Sequence, residues 1–231
     1  MINLDALKSV QERIETARAR ANREHDPPVQ IIAITKTLPA TAIESAHMAG
    51  IRNIGENRIQ EAAQKFPDLA KLPGLTKRLV GHLQSNKAGK AVNLFDAIDS
   101  IDSLKLARRL SIIMAEPQSN CESLFQVNTG QDSAKHGFHP EKIDVLLEAL
   151  QLKNLSIKGL MTIGVFTSDQ TTIRKTFQSL RQLKERLNKH LSKERQLTEL
   201  SMGMSSDYEI AVEEGATMVR IGTALFGERK P

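Results

Sequence analysis

Several residue types are scarce in this sequence, and each shortage excludes something. Cysteine occurs once, at Cys121, so no internal disulfide can form. There is no CxxC and no Cys/His zinc spacing, which excludes a disulfide scaffold and a zinc ribbon. A reducing cytoplasm is the expected compartment. There is no tryptophan, one tyrosine and seven phenylalanines, too little aromatic surface for a base-stacking platform. No apolar run approaches ~18 residues, so no membrane span is expected. The opening Met1-Ile2-Asn3-Leu4-Asp5 lacks the basic and apolar regions of a secretory signal, and Asp5, Glu12 and Glu15 argue against a transit peptide. An excess of one charge is missing too: 32 Lys and Arg stand against 27 Asp and Glu, a formal net charge of +5. The charges are interspersed, as in Gln182-Leu183-Lys184-Glu185-Arg186. No nucleic-acid partner is expected; a small anion in a basic pocket suits this balance as well.

What is present is an ordinary globular composition: 231 residues, 40% hydrophobic and 26% charged. That length allows one or two domains, and a barrel of about 250 residues can be one. Leu4, Leu7, Val10, Ile14, Ala17 and Ala21 recur at three- and four-residue steps behind a capping Asn3, which predicts an amphipathic helix within residues 1–28, stopped by Asp26-Pro27-Pro28. Val29–Ile34 is then an apolar, β-branched run that suits a strand buried on both faces.

From there strands and helices alternate. Strands are expected at Ile51–Ile54, Arg78–Gly81, Ala97–Asp99, Ser123–Asn128, Leu155–Met161, Thr198–Ser201 and Met218–Ile221. The helices between them are placed at Ala40–Ala49, Glu56–Phe66, Asn86–Asn93, Ser103–Ala115, Pro140–Leu150, Ser168–Leu191 and Ser206–Glu214, with a last short piece at Thr223–Phe226. Alternating βα units mean a parallel sheet. Eight strands in this length predict a single α/β domain over residues 1–231, a (β/α)8 TIM barrel with an extra N-terminal helix packed on it. A doubly wound open sheet is the rival, because periodicity does not show closure.

Parallel α/β folds hold ligands at the carboxyl ends of their strands. Polar and small residues collect there. Ser201-Met202-Gly203-Met204-Ser205 leaves the seventh strand, and Ser206 with Glu209 reads as a capping box at the next helix. Gly222-Thr223 repeats the arrangement after the eighth. Either alone reads as plain helix capping. Together they occupy the two loops where barrels hold phosphate. Lys36 ends the most apolar strand; at a barrel mouth it would be partly desolvated, which favours the free amine, whereas an arbitrary lysine merely snorkels. A phosphate cradle opposite a strand-end lysine is what pyridoxal 5′-phosphate (PLP) requires. Arg220 offers only donors and would keep a pyridine nitrogen unprotonated, or else form a salt bridge at the rim. His82 and His136 are candidate acid–base groups or ordinary structural histidines. His136-x-x-His139 has a metal-like spacing with no third ligand to complete it, so no metal is expected. Met161 and Met204 should pack against something flat, and Cys121 should be inert.

These residues resemble a known family, the pyridoxal phosphate homeostasis proteins, which share the N-terminal barrel of alanine racemase, the fold-type III arrangement of PLP proteins. The matching segments are Ile34-Thr35-Lys36-Thr37, Ile54-Gly55-Glu56-Asn57-Arg58-Ile59-Gln60-Glu61, Gly81-His82-Leu83-Gln84-Ser85-Asn86-Lys87, Lys135-His136-Gly137, Gly159-Leu160-Met161-Thr162-Ile163, Ser201 to Asp207 and Arg220 to Gly227. The resemblance implies that Lys36 carries the cofactor as an internal aldimine. It implies that Ser201, Ser205, Gly222 and Thr223 surround the phosphate, with Gly203 also among the cofactor-binding residues, that Arg220 faces the ring nitrogen, that Asn57 contacts the cofactor from the second strand's loop, and that His82 and Met161 line the pocket. Two positions depart from the family pattern: Thr35 stands where Ser is common, and Leu38 where many members carry a second lysine. If that lysine helps pass the cofactor on, another group such as Lys135 must serve here.

Three readings follow. The first is an intracellular PLP carrier, a monomer whose partners are PLP and apo PLP-dependent enzymes, without turnover. The second is an amino-acid racemase, which needs a second base, a tyrosine supplied with an extra β-domain; Tyr208 is the one tyrosine, and the expectation is that no segment remains to build such a domain. The third is a barrel for some other phosphorylated ligand. The carrier reading is favoured.

Overall fold

The computed structural model describes residues 1–69, 71–115, 121–130, 132 and 134–228. Helix α1 (Leu4–Arg20) comes first; the Asn3 side chain accepts from the Ala6 N–H, and Leu7, Val10, Ile14 and Ala17 form its buried face. There follow β1 (Gln30–Ile34), α2 (Ala40–Met48), β2 (Asn53–Glu56), α3 (Ile59–Lys65), β3 (Thr76–Leu79), α4 (Ala88–Leu94), β4 (Ala97–Ile101) and α5 (Leu104–Ile113). The second half continues with β5 (Glu122–Gln126), α6 (Ile143–Leu150), β6 (Ser156–Met161), α7 (Gln170–Asn188), β7 (Glu199–Met204), α8 (Tyr208–Glu213), β8 (Met218–Ile221) and α9 (Thr223–Phe226). The strands pair in chain order and in parallel, and β8 pairs back onto β1, so the sheet is a closed barrel. That closure excludes the open doubly wound sheet.

Successive side chains of a strand point to opposite faces. One parity builds the outer core beneath the helices, with Ala33, Ile54, Leu79, Leu160, Leu200, Val219 and Ile221 among its members. The other parity turns inward, where Ile32, Leu124, Met161 and Met218 form a separate small cluster with Ile34 above it. Arg78 and Asp99 also face inward and make a bidentate pair at 2.9 and 2.8 Å. Burial would lower the Arg78 guanidinium, but the paired carboxylate outweighs it and holds the charge on. The barrel is thus filled; cavities of about 440 and 520 Å³ open at its carboxyl-end mouth, and others of about 370 and 350 Å³ lie by the strand starts.

Helix α1 closes one side. The Asn3 N–H donates to Leu225 O at 2.9 Å and the Ile2 N–H to Ser45 Oγ at 3.0 Å, and the helix packs on α8 and α9. Among the described residues no helix is long and apolar enough to cross a membrane.

Some boundaries differ from the sequence expectation for local reasons. Strand β2 starts at Asn53 rather than Ile51, because the Ile51 N–H still closes α2 on Ala46 O at 3.0 Å after Gly50 turns the chain at φ +91°. Glu56 therefore belongs to β2, and α3 begins at Ile59. Strand β3 ends at Leu79, short of Gly81. Strand β7 continues past Ser201 to Met204. Helix α8 starts at Tyr208, and the expected capping box is not formed: Ser206 caps nothing, and Asp207 stands at the cap with its carboxylate turned back to the Met204 N–H at 2.6 Å.

Candidate functional site

The mouth of the barrel is built first from the end of β1. The Thr35 N–H continues the ladder to Gly55 O at 3.1 Å, and its hydroxyl donates to Glu56 Oε1 at 2.7 Å. Lys65, at the last position of α3, donates to Thr35 O and to Glu56 Oε1, both at 2.9 Å, and to Glu61 Oε1 at 2.5 Å. The Thr37 N–H donates to the same Glu61 oxygen, and Thr37 takes the left-handed conformation, φ +64°. A β-branched residue adopts that conformation at a cost, so the turn is held by its anchors. Lys36 therefore sits between two pinned neighbours. Lys36 is half-buried, and its Nζ makes no hydrogen bond or ion pair with the described residues.

This network is electrostatically tense. Burial pushes the Glu56 carboxyl above the usual range, against the opposing pull of Thr35 and Lys65. At Glu61 burial acts in the same direction, but the hydrogen bonds from Lys65 and the Thr37 N–H win, and this carboxyl sits below its ordinary value. Nothing in linear sequence announces these roles for Lys65, Glu56 and Glu61, although the i,i+4 spacing of Glu61 and Lys65 on α3 shows that the two can pair.

Across the mouth stand the loops after β7 and β8. A cavity of about 440 Å³ is lined by Ile34 and Lys36 from β1, by Met204, Ser205 and Ser206 from β7 and its loop, and by Arg220, Gly222 and Thr223 from β8 and its loop. That size is within the ordinary range for a small ligand. Ser205 Oγ accepts from the Gly222 and Ala224 N–H groups, each at 3.3 Å, and ties the two loops together. The backbone N–H groups of Ser205, Ser206 and Thr223 have no acceptor among the described residues. Several donors without protein partners at one rim suit an anion.

Arg220 forms the floor. It is 5% exposed. Its Nη1 donates to Ser201 O at 2.8 Å and to Ser201 Oγ at 3.0 Å, and its Nη2 donates to Thr162 O at 2.7 Å. Three of the five guanidinium N–H groups are thereby used. No carboxylate among the described residues pairs with it, so the salt bridge weighed from sequence is not made. Burial lowers its guanidinium from the ordinary value, opposed at longer range by Asp99 and Asp207. The Asp207 carboxyl is itself pushed up by burial, against the Met204 N–H and Arg220.

The other residues singled out from sequence lie around this cavity rather than in its wall. Ser201 stands behind Arg220. Gly203 has φ +91°, and a Cβ there would come within 2.6 Å of the Ala211 Cβ and 2.9 Å of the Tyr208 Cα, so its lack of a side chain lets α8 pack on β7. Met161 lies fully buried among Ile32, Leu124 and Met218. Asn57 and His82 line another cavity with Arg58 and Lys87, and Asn57 Oδ1 is buried without a partner among the described residues. Lys135 points to Gly164 O at 2.9 Å. Cys121 is buried, and burial pushes its thiol up to about 12, which suits an inert thiol. Tyr208 is 2% exposed, with the Arg13 guanidinium 5.6 Å from its ring centre and its Oη without a hydrogen-bond partner among the described residues.

Comparison with known proteins agrees with this architecture. The family model for the alanine racemase N-terminal domain matches residues 2–230. A pyridoxal phosphate homeostasis protein of Pseudomonas aeruginosa is 42% identical over 225 residues, covering 96% of this chain and 94% of the relative. The structure of PipY from Synechococcus elongatus with PLP bound is 41% identical, with a TM-score of 0.80, covering 93% of this chain and 100% of that one. An alanine racemase of Clostridium difficile, 16% identical with a TM-score of 0.73, shares the fold; this chain spans 57% of its length.

Proposed function

The chain belongs to the pyridoxal phosphate homeostasis proteins, within the family of the alanine racemase N-terminal domain, and from that premise we propose that it binds PLP in the cavity at Lys36 and carries it without turning over a substrate. When bound, the cofactor supplies an aldehyde that condenses with a free amine. The observation that carries the reading is the pairing, in one cavity, of a lysine amine and a rim of N–H donors that have no partners among the described residues.

The residues fit the group. Lys36 Nζ is held at the mouth by its pinned neighbours and is free to react. The N–H groups of Ser205, Ser206 and Thr223, with the loop tie made by Ser205, are suited to a phosphate. Arg220 has two N–H groups uncommitted and no proton acceptor of its own, so it can donate to a ring nitrogen and cannot take a proton from it. Ser201 and Thr162 act on the site through Arg220 by fixing its plane. The resemblance also implies that Asn57, His82 and Met161 line the pocket; Asn57 and His82 line a separate cavity, and Met161 lies in the barrel interior.

The carrier reading is supported by the position of the one tyrosine. Tyr208 is enclosed beneath α1, and burial raises its hydroxyl above the ordinary value, so it cannot serve as a base at the mouth. The same reading gives a cytoplasmic monomer whose partners are PLP and the apo forms of PLP-dependent enzymes. The test is spectroscopic. Adding PLP to the purified protein should produce an absorbance band distinct from free PLP, and Lys36→Ala should abolish it; an unchanged band in Lys36→Ala would refute the anchor. Loaded protein given free L-amino acids should not racemise them, and turnover near ~1 s⁻¹ would replace the carrier by an enzyme.

A further inference from the structure

The loops after β3, β4 and β5 bring together three side chains outside the Lys36 cavity. His82 Nδ1 lies 2.8 Å from Asp102 Oδ2, and His136 Nδ1 lies 3.9 Å from the same oxygen. The two imidazoles stack, with ring centres 3.9 Å apart and planes at 11°. One ligand atom from each residue falls within 4.8 Å of the other two. His139, the partner suggested by sequence spacing, is not in this group; its Nδ1 receives the Glu141 N–H at 3.3 Å.

The three positions are anchored from behind. Gly81 O, beside His82, accepts from Ser100 Oγ at 2.7 Å. Asp102 is followed by Ser103, which caps α5. His136 O accepts from Gln126 Nε2 at 2.9 Å. The adjacent cation, Lys135, lines the same cavity as the two histidines and donates its ammonium to Gly164 O at 2.9 Å. The Asp102 carboxylate is largely buried, while both imidazoles are open to solvent. An ion could therefore enter, and the backbone need not move.

We propose that His82, Asp102 and His136 form a binding site for one first-row divalent metal ion, with Zn²⁺ as the reference. Two imidazole nitrogens and one carboxylate oxygen suit Zn²⁺, Co²⁺ or Ni²⁺, and do not suit Mg²⁺ or Ca²⁺, which take oxygen ligands. In a tetrahedral site with bonds near 2 Å the ligand atoms stand about 3.3 Å apart. The observed separations from Asp102 bracket that value, and the two exposed rings complete the site by rotating out of their face-to-face stack. Bound there, the ion would cross-link the loops after three consecutive strands.

The test uses the full-length protein, treated with chelator and dialysed, and titrated with ZnCl2 by calorimetry. One Zn²⁺ per chain is expected, with a higher thermal midpoint and no response to MgCl2. His82→Ala, Asp102→Asn and His136→Ala should each weaken Zn²⁺ by at least about tenfold, since even outer residues of zinc sites cost that much. Circular dichroism confirms that each variant is folded, and the two exposed histidine variants cover the case in which Asp102→Asn is not. Failure of Zn²⁺ to saturate the protein at micromolar concentration would overturn the proposal. So would less than tenfold weakening in any one folded variant.

Discussion

Arg220 donates to the Ser201 hydroxyl at 3.0 Å, from one strand to the next inside the barrel, and its other bonds go to the Ser201 and Thr162 carbonyls. Replacing it by Met takes the donor from Thr162 O and from the Ser201 hydroxyl, while Ser201 O keeps the Thr162 N–H at 3.2 Å. Arg220→Met should lose about 1–3 kcal/mol of stability, read by urea denaturation, and its PLP band should shift. Unchanged stability would mean that these oxygens find other donors.

The inward parity of β1 and β8 explains why this much of the site was legible in sequence. Ile32, Ile34 and Lys36 share one face of an apolar run, and Met218 and Arg220 share one face of β8, so the alternation that marks a strand also aims these two cations. The loops after β7 and β8 were legible because small residues cluster there. Lys65 and the His82–Asp102–His136 group were not. The bonds of Lys65 to Glu56 and Thr35 depend on how α3 packs over β1 and β2, and the members of the histidine group come from three different βα units. The Ser206 capping box failed for a related reason: β7 runs longer than its apolar stretch, and Asp207 is captured by Met204.

Lys65 should be the most sensitive residue outside the cavity. Its ammonium is buried against Glu56, and removing one member of a buried pair strands the other charge. Lys65→Met should cost about 3–5 kcal/mol and weaken PLP binding by freeing the Thr35–Thr37 turn. A stable Lys65→Met protein with parental PLP affinity would show that the turn holds itself.

Glu61 gives a pH dependence with a definite sign. Burial opposes its ionisation, but the bonds from Lys65 and Thr37 set its folded-state value below the ordinary 4.5. A carboxyl lowered on folding adds stability above its unfolded value and loses it as pH falls through the folded one. Wild type should therefore exceed Glu61→Gln in stability at neutral pH, and the gap should close as pH falls below 4.5. Denaturation midpoints across that range check this; a gap that widens in acid would reverse the assignment.

Gly203 tests the packing of α8 on β7. A Cβ added there meets Ala211 and Tyr208 at contacts no real Cβ tolerates, on a backbone with φ +91°. Gly203→Ala should destabilise by about 1–3 kcal/mol, seen as a lower thermal midpoint. A midpoint equal to wild type would mean that α8 shifts freely.

The central claim is that Lys36 is the covalent anchor. The most direct measurement is borohydride reduction of the PLP-loaded protein, followed by proteolysis and mass spectrometry of the labelled peptide. The account predicts a single pyridoxyl-phosphate adduct on Lys36. An adduct on any other lysine, or none after loading, would contradict it.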